Sequence, residues 1–123
     1  MTRILILVED DDLKAKAVTR YATRIGYVTV LRAATLNVAF DLLERYKDYA
    51  VVVTDWCFPW RVGLGAEDNL GRHVVDWCRG GTPRVPVRVF SGRDVPATGY
   101  EDIWFDSLSA NGLCAWLEEE YKK

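Results

Sequence analysis

The 123-residue sequence predicts an α/β protein: one doubly wound, five-stranded parallel sheet in a single domain over residues 1–123. Three observations predict it. Short apolar runs recur without polar alternation, above all residues 4–8 and 49–54, as expected of strands buried on both faces. Segments with helical spacing separate them, and this alternation implies helices on both faces joined by right-handed crossovers. The first and third runs end abruptly in carboxylates, Glu9-Asp10-Asp11-Asp12 and Asp55. Carboxyl ends of strands are where open α/β sheets place their ligands.

Composition narrows the function. Half of the residues are hydrophobic and the net charge is -2, so the chain builds one core and carries no nucleic-acid footprint. No apolar run approaches membrane-spanning length. Met1-Thr2-Arg3 has no signal-peptide pattern, and a cytoplasmic location is expected. Cys57, Cys78 and Cys114 are odd in number and form no CxxC pair, which fits thiols in a reducing compartment. His73 reads as a surface residue, so no Ser/His/Asp or Cys/His catalysis can be built around it. Trp77 and Trp116 are expected to pack, while Trp56 and Trp60 flank the carboxylate end of strand three and would shape access to it.

Residues 4–8 form strand one. Asp11 or Asp12 can cap the next helix, whose stripe is Leu13, Ala17, Tyr21 and Ile25, with Val18 and Ala22 beside it. Gly26 stops that helix. Residues 27–31 read as strand two. Thr35 caps a helix containing Leu36, Ala39, Phe40, Leu43 and Tyr46. Residues 49–54 are strand three, and Phe58 with Pro59 halts further extension before a long loop over 56–68. Asp68 or Asn69 can cap the third helix, with Leu70, Val74, Val75, Trp77 and Cys78, ended by Gly80-Gly81-Thr82-Pro83. Residues 85–90 are strand four, 102–105 strand five, and Ala110, Leu113, Trp116, Leu117 and Tyr121 the final stripe.

A flavodoxin-like strand order 2-1-3-4-5 sets strands one and three side by side. Glu9 and Asp10 then meet Asp55 at one edge. Clustered carboxylates repel unless a cation joins them, and an oxygen-only set at an open edge suits Mg²⁺. Asp55 is a legitimate phosphoryl nucleophile. Ser91 ends strand four at the same edge, where its hydroxyl can meet a phosphoryl oxygen and Gly92 admits close backbone approach.

Ile4-Leu5-Ile6-Leu7-Val8-Glu9-Asp10-Asp11, Asp55-Trp56-Cys57-Phe58-Pro59 and Val89-Phe90-Ser91 together resemble the receiver domain of two-component response regulators. The resemblance covers nearly the whole chain. It implies that Glu9 and Asp10 are the metal-binding acid pair, Asp55 the phosphoacceptor, the Cys57 carbonyl a backbone metal ligand and Ser91 the switch hydroxyl. It further implies a histidine kinase or phosphotransfer protein as partner and a downstream protein target; the charge balance and hydropathy, for their part, predict no nucleic acid and no membrane, and apolar surface left by a lost helix could be covered by a second copy of the chain, a homodimer.

Three features depart from that family. Receivers carry a lysine just after strand five; Asp106 stands there, in Ile103-Trp104-Phe105-Asp106-Ser107, and no lysine is near it in the chain. Arg61 or Arg93 is the candidate substitute cation. Only residues 92–101, with Pro96 among them, join strands four and five, so the fourth helix is expected to be missing or very short. The loop over 56–68 is long and holds Trp60 and Arg61. Three readings follow: a stand-alone Mg²⁺-dependent phosphoacceptor in a phosphorelay, a pseudo-receiver interaction module not regulated by phosphorylation, or a receiver-derived Mg²⁺-dependent phosphoester-processing enzyme. On the first, enzymatic action is limited to phosphorylation and dephosphorylation of Asp55 itself.

Overall fold

The computed structural model describes residues 3–67, 69–95 and 99–123. Five strands form one parallel sheet: β1 (Ile4–Val8), β2 (Thr29–Ala33), β3 (Ala50–Thr54), β6 (Val87–Ser91) and β7 (Trp104–Asp106). Their spatial order is β2-β1-β3-β6-β7, the expected 2-1-3-4-5 when the sheet's strands are counted alone. The helices are α1 (Asp12–Ile25), α2 (Leu36–Tyr46), α3 (Leu70–Gly80) and α4 (Asn111–Lys122). None is long and apolar enough to cross a membrane, among the described residues.

The central strand explains the register. All five residues of β3 are buried, and each fully buried aliphatic side chain contributes about 1.5–3 kcal/mol. The run is thereby held between two cores. One joins Ile6, Val8 and Val52 to α2 and α3; the other joins Leu5, Leu7, Val51 and Val53 to α1 and α4. Val8 pairs with Thr54, so the next residues on the two strands, Glu9 and Asp55, leave the sheet together.

α2 spans the segment its spacing predicts, with the Thr35 hydroxyl accepting from the Val38 amide at 3.3 Å. Asp11 caps α1, accepting from Leu13 and Lys14 amides at 2.9 and 3.2 Å. The buried face of α1 differs from the expected stripe: Ala15, Val18 and Ala22 are buried, whereas Leu13 is 79% exposed. Strand two lies two residues later than expected, because Tyr27 turns into the core and donates its hydroxyl to the Leu117 carbonyl at 2.9 Å. Gly26, at φ 134°, makes that turn.

The segment after Asp55 is not a plain loop. Phe58–Pro59 (β4) pairs antiparallel with Ala66–Glu67 (β5), so the aromatic–proline pair starts a small ribbon. Asn69, in the left-handed region at φ 68°, precedes α3 and makes no side-chain cap bond; Asp68, the other candidate cap, lies outside the described residues. The shortened crossover also stands. Between Ser91 and Glu101 the described residues are not helical, and one 3-10 turn over Glu101–Ile103 leads into β7. Pro96 lies outside the described residues. His73 is exposed, and none of Cys57, Cys78 and Cys114 is in a disulfide.

Candidate functional site

The carboxylate pocket forms where β1 and β3 end. The Asp55 amide donates to the Val8 carbonyl at 2.8 Å, and the Glu9 amide to the Ala33 carbonyl at 2.9 Å, so sheet bonds fix both backbones. Glu9, Asp10 and Asp55 each offer a carboxylate oxygen, all within 4.8 Å of one another. Glu9 is 2% exposed, while Asp10 opens to solvent. Burial pushes the Glu9 carboxyl up to about 7, with repulsion from Asp55 adding to it and Lys14 opposing it. Burial also raises Asp10, with help from Asp55 and Asp11. A carboxylate set under such repulsion, with one member buried, is one that a cation relieves.

A cation is present, and it comes from α1. Lys14 Nζ lies 3.2 Å from Glu9 Oε2 and 3.3 Å from Asp55 Oδ1. It also sits 5.6 Å from the Phe90 ring centroid. Arg61 and Arg93 were the substitutes that the sequence suggested; the ammonium paired with the pocket is neither of them. A signal for Lys14 exists in the sequence. It occupies the third position of a helix, where the macrodipole disfavours a cation, two residues after a run of four carboxylates.

The surrounding bonds set the pocket's shape. Asp55 Oδ1 accepts from the Trp56 amide at 2.7 Å, and Glu9 Oε1 from the Asp11 amide at 3.1 Å. Arg32 braces the acidic turn, donating from Nε to the Glu9 carbonyl at 2.9 Å and from Nη1 to Asp12 at 2.7 Å. Ser91 ends β6, is buried, and accepts from the Arg93 amide at 3.2 Å. A Cβ on Gly92 would stand 3.1 Å from Ser107 Oγ, so the turn after Ser91 is tight. Asp106 pairs with Ser91 across the sheet, and its carboxylate accepts from the Leu108 amide at 2.9 Å as a local turn.

The tryptophans divide differently from expectation. Trp56 is buried, not a shaper of access: its ring packs on Tyr100 at 5.3 Å and Trp104 at 4.9 Å between centroids. Its indole donates to Asn69 Oδ1 at 2.6 Å. Trp60 is 42% exposed, and its carbonyl accepts from the Asn37 amide at 3.1 Å, which ties the ribbon to α2.

No protein-family model matches the chain. A chemotaxis protein CheY homolog of Campylobacter jejuni subsp. jejuni is 35% identical over 60 residues, 49% of this chain and 46% of that protein. The chain spans about half the length of the curated relatives it matches. The signal receiver domain of an HD domain-containing protein from Pseudomonas fluorescens Pf-5 superposes with TM-score 0.72 at 11% identity, over 99% of this chain and 95% of that one. A response regulator receiver domain protein from Bacillus halodurans C-125 does so with TM-score 0.68 at 14% identity, over 100% and 99%.

This chain has the receiver fold.

A third neighbour, the Mn²⁺-bound form of response regulator Rcp1, superposes with TM-score 0.59 at 13% identity, over 95% of this chain and 90% of that one. The donor set here fits such a hard divalent ion, being three carboxylates at an open edge.

Proposed function

We propose that residues 1–123 act as a single receiver that accepts a phosphoryl group on Asp55 in a Mg²⁺-dependent step. The observation that carries this reading is the convergence of Glu9, Asp10 and Asp55 at the carboxyl edge of the sheet, oxygens within 4.8 Å. These three residues and the Cys57 carbonyl would hold the ion. Bound there, Mg²⁺ supplies positive charge that offsets the oxygens of a transferring phosphoryl group. The Asp55 carboxylate attacks phosphorus in line; a P–O bond forms as the P–N bond of a phosphohistidine breaks, and the imidazole leaves with a proton. The Trp56 amide, already bonded to Asp55 Oδ1, fixes the carboxylate's orientation. The Ser91 hydroxyl and the Gly92 amide receive phosphoryl oxygens. The phosphodonor is a histidine kinase or phosphotransfer protein of the cytoplasm, and the output is a protein target or a second copy of this chain.

The test is intact-mass analysis after incubation with Mg²⁺ and acetyl phosphate, with Asp55→Asn beside it. A single phosphoryl adduct on the wild type, missing from the variant and from EDTA controls, is expected. A second reading, a pseudo-receiver that signals without phosphorylation, is favoured by one observation: Asp106, not a lysine, pairs with Ser91. No adduct from acetyl phosphate or from a phosphotransfer protein would establish that reading instead. Turnover of phosphoester without an adduct would point to an enzyme.

A further inference from the structure

Lys14 has a position that neither fold nor helix packing demands. As the third residue of α1 it sits where aligned backbone amides already concentrate positive charge, and its own amide is committed to Asp11 Oδ1 at 3.2 Å. The side chain nonetheless turns inward: it is 19% exposed, beside a Glu9 that is 2% exposed and an Asp55 that is 15% exposed. The adjacent Leu13, an apolar residue, is left in solvent at 79%. The exchange places an ammonium where an apolar side chain would otherwise be the better occupant. The two carboxylates, at 3.2 and 3.3 Å, compensate it.

A divalent ion bound by Glu9 and Asp55 needs the oxygens that Lys14 holds. Two cations within a few ångströms repel strongly in a partly buried site. The four-carbon stem of lysine lets the ammonium swing without moving the helix. It has a second place to rest, since Nζ is already 5.6 Å from the Phe90 ring and Phe90 directly precedes Ser91. We propose that Lys14 is the resident cation of the carboxylate pocket: it holds Glu9 and Asp55 together without metal, yields these oxygens to Mg²⁺, and then balances the charge of a phosphoryl group on Asp55. The lysine missing from the end of β7 is thus supplied by α1. This inference rests on the phosphoacceptor reading above and names how that site is regulated.

Calorimetric Mg²⁺ titration of the wild type, Lys14→Met and Lys14→Arg tests it, followed by acetyl phosphate labelling at saturating Mg²⁺. Lys14→Met should bind Mg²⁺ about tenfold more tightly, as expected for removal of one competing charge, yet form adduct about tenfold more slowly. Lys14→Arg, which keeps the charge, should stay within about threefold of the wild type on both counts. Equal Mg²⁺ affinities in the wild type and Lys14→Met would overturn the inference and leave the metal site standing. Tighter metal with unchanged adduct formation would overturn the phosphoryl role. Absence of Mg²⁺ binding in all three proteins would remove the metal reading itself, and this inference with it. Should Lys14→Met not fold, reductive methylation of the wild type decides. Lys14 should react more slowly than the exposed Lys16 in EDTA, and Mg²⁺ should raise its rate; a rate indifferent to Mg²⁺ overturns the inference.

Discussion

Gly71 and Trp56 meet backbone to backbone: the Gly71 amide donates to the Trp56 carbonyl at 3.0 Å. A Cβ on Gly71 would clash with the Asp55 carbonyl oxygen and approach Trp56 Cα to 2.8 Å. The first turn of α3 thus lies directly against the residue that carries the proposed chemistry. Gly71→Ala should destabilise the protein by about 1–3 kcal/mol, since backbone cannot yield as a side chain does. It should also slow labelling of Asp55. Urea titration checks the first effect and intact mass the second; an unchanged midpoint would refute the close approach.

Asn69 holds Trp56 from the other side through its 2.6 Å indole bond, in a left-handed conformation at φ 68°. Asn69→Ala should cost about 1–3 kcal/mol, combining backbone strain with a buried indole N–H left unpaired. Asn69→Gly removes the bond while relieving the strain, so it should cost less than the alanine variant. Thermal melts of the pair separate the two contributions; equal losses would assign the whole effect to the hydrogen bond.

Stability should depend on pH through Glu9. Its carboxyl is raised from 4.5 to about 7 in the folded chain, chiefly by burial. Between those values the folded state binds more protons than the unfolded state, so stability falls as pH rises through that window. In EDTA, Glu9→Gln should flatten that slope and exceed the wild type in stability above pH 7, by something on the order of 1–3 kcal/mol. Chemical denaturation at several pH values measures it; parallel curves for the two proteins would exclude Glu9 as the source.

Gly26 turns the chain from α1 toward β2 at φ 134°, and a Cβ there would stand 2.7 Å from the Tyr121 ring. Gly26→Ala should lose about 1–3 kcal/mol from the backbone alone. Adding Tyr121→Ala should recover the steric part and leave the conformational part. A double-mutant cycle with no coupling would place the whole cost in φ.

The parallel sheet was legible because β1 and β3 are continuous apolar runs ended by acids, a pattern few other structures explain. α2 was legible because Thr35 caps it and Leu36, Ala39 and Leu43 repeat on one face. The pocket followed from register alone, since Val8 beside Thr54 brings Glu9 to Asp55. What escaped depends on long-range contacts. Tyr27 reads as a strand residue until α4 offers the Leu117 carbonyl. Trp56 reads as an edge aromatic until Tyr100, at the end of the short crossover, and Trp104, on β7, pack against it. Lys14 was missed because periodicity favours Leu13 as the inward residue. In the structure Ala15, Val18 and Ala22 face the sheet, Leu13 is left in solvent, and Lys14 reaches Glu9 and Asp55.

The Trp56 ring has a mechanical consequence. It is covalently next to Asp55, clamped at its indole nitrogen by Asn69, and wedged against Trp104 on β7 and against Tyr100, whose hydroxyl donates to Asp76 of α3 at 3.0 Å. Interiors this dense pass displacement on rather than absorb it. The indole therefore joins the Asp55–Trp56 peptide by direct packing to Tyr100 at the end of the crossover and to Trp104 on β7, a route from the carboxylate pocket to an edge strand that does not pass through β6.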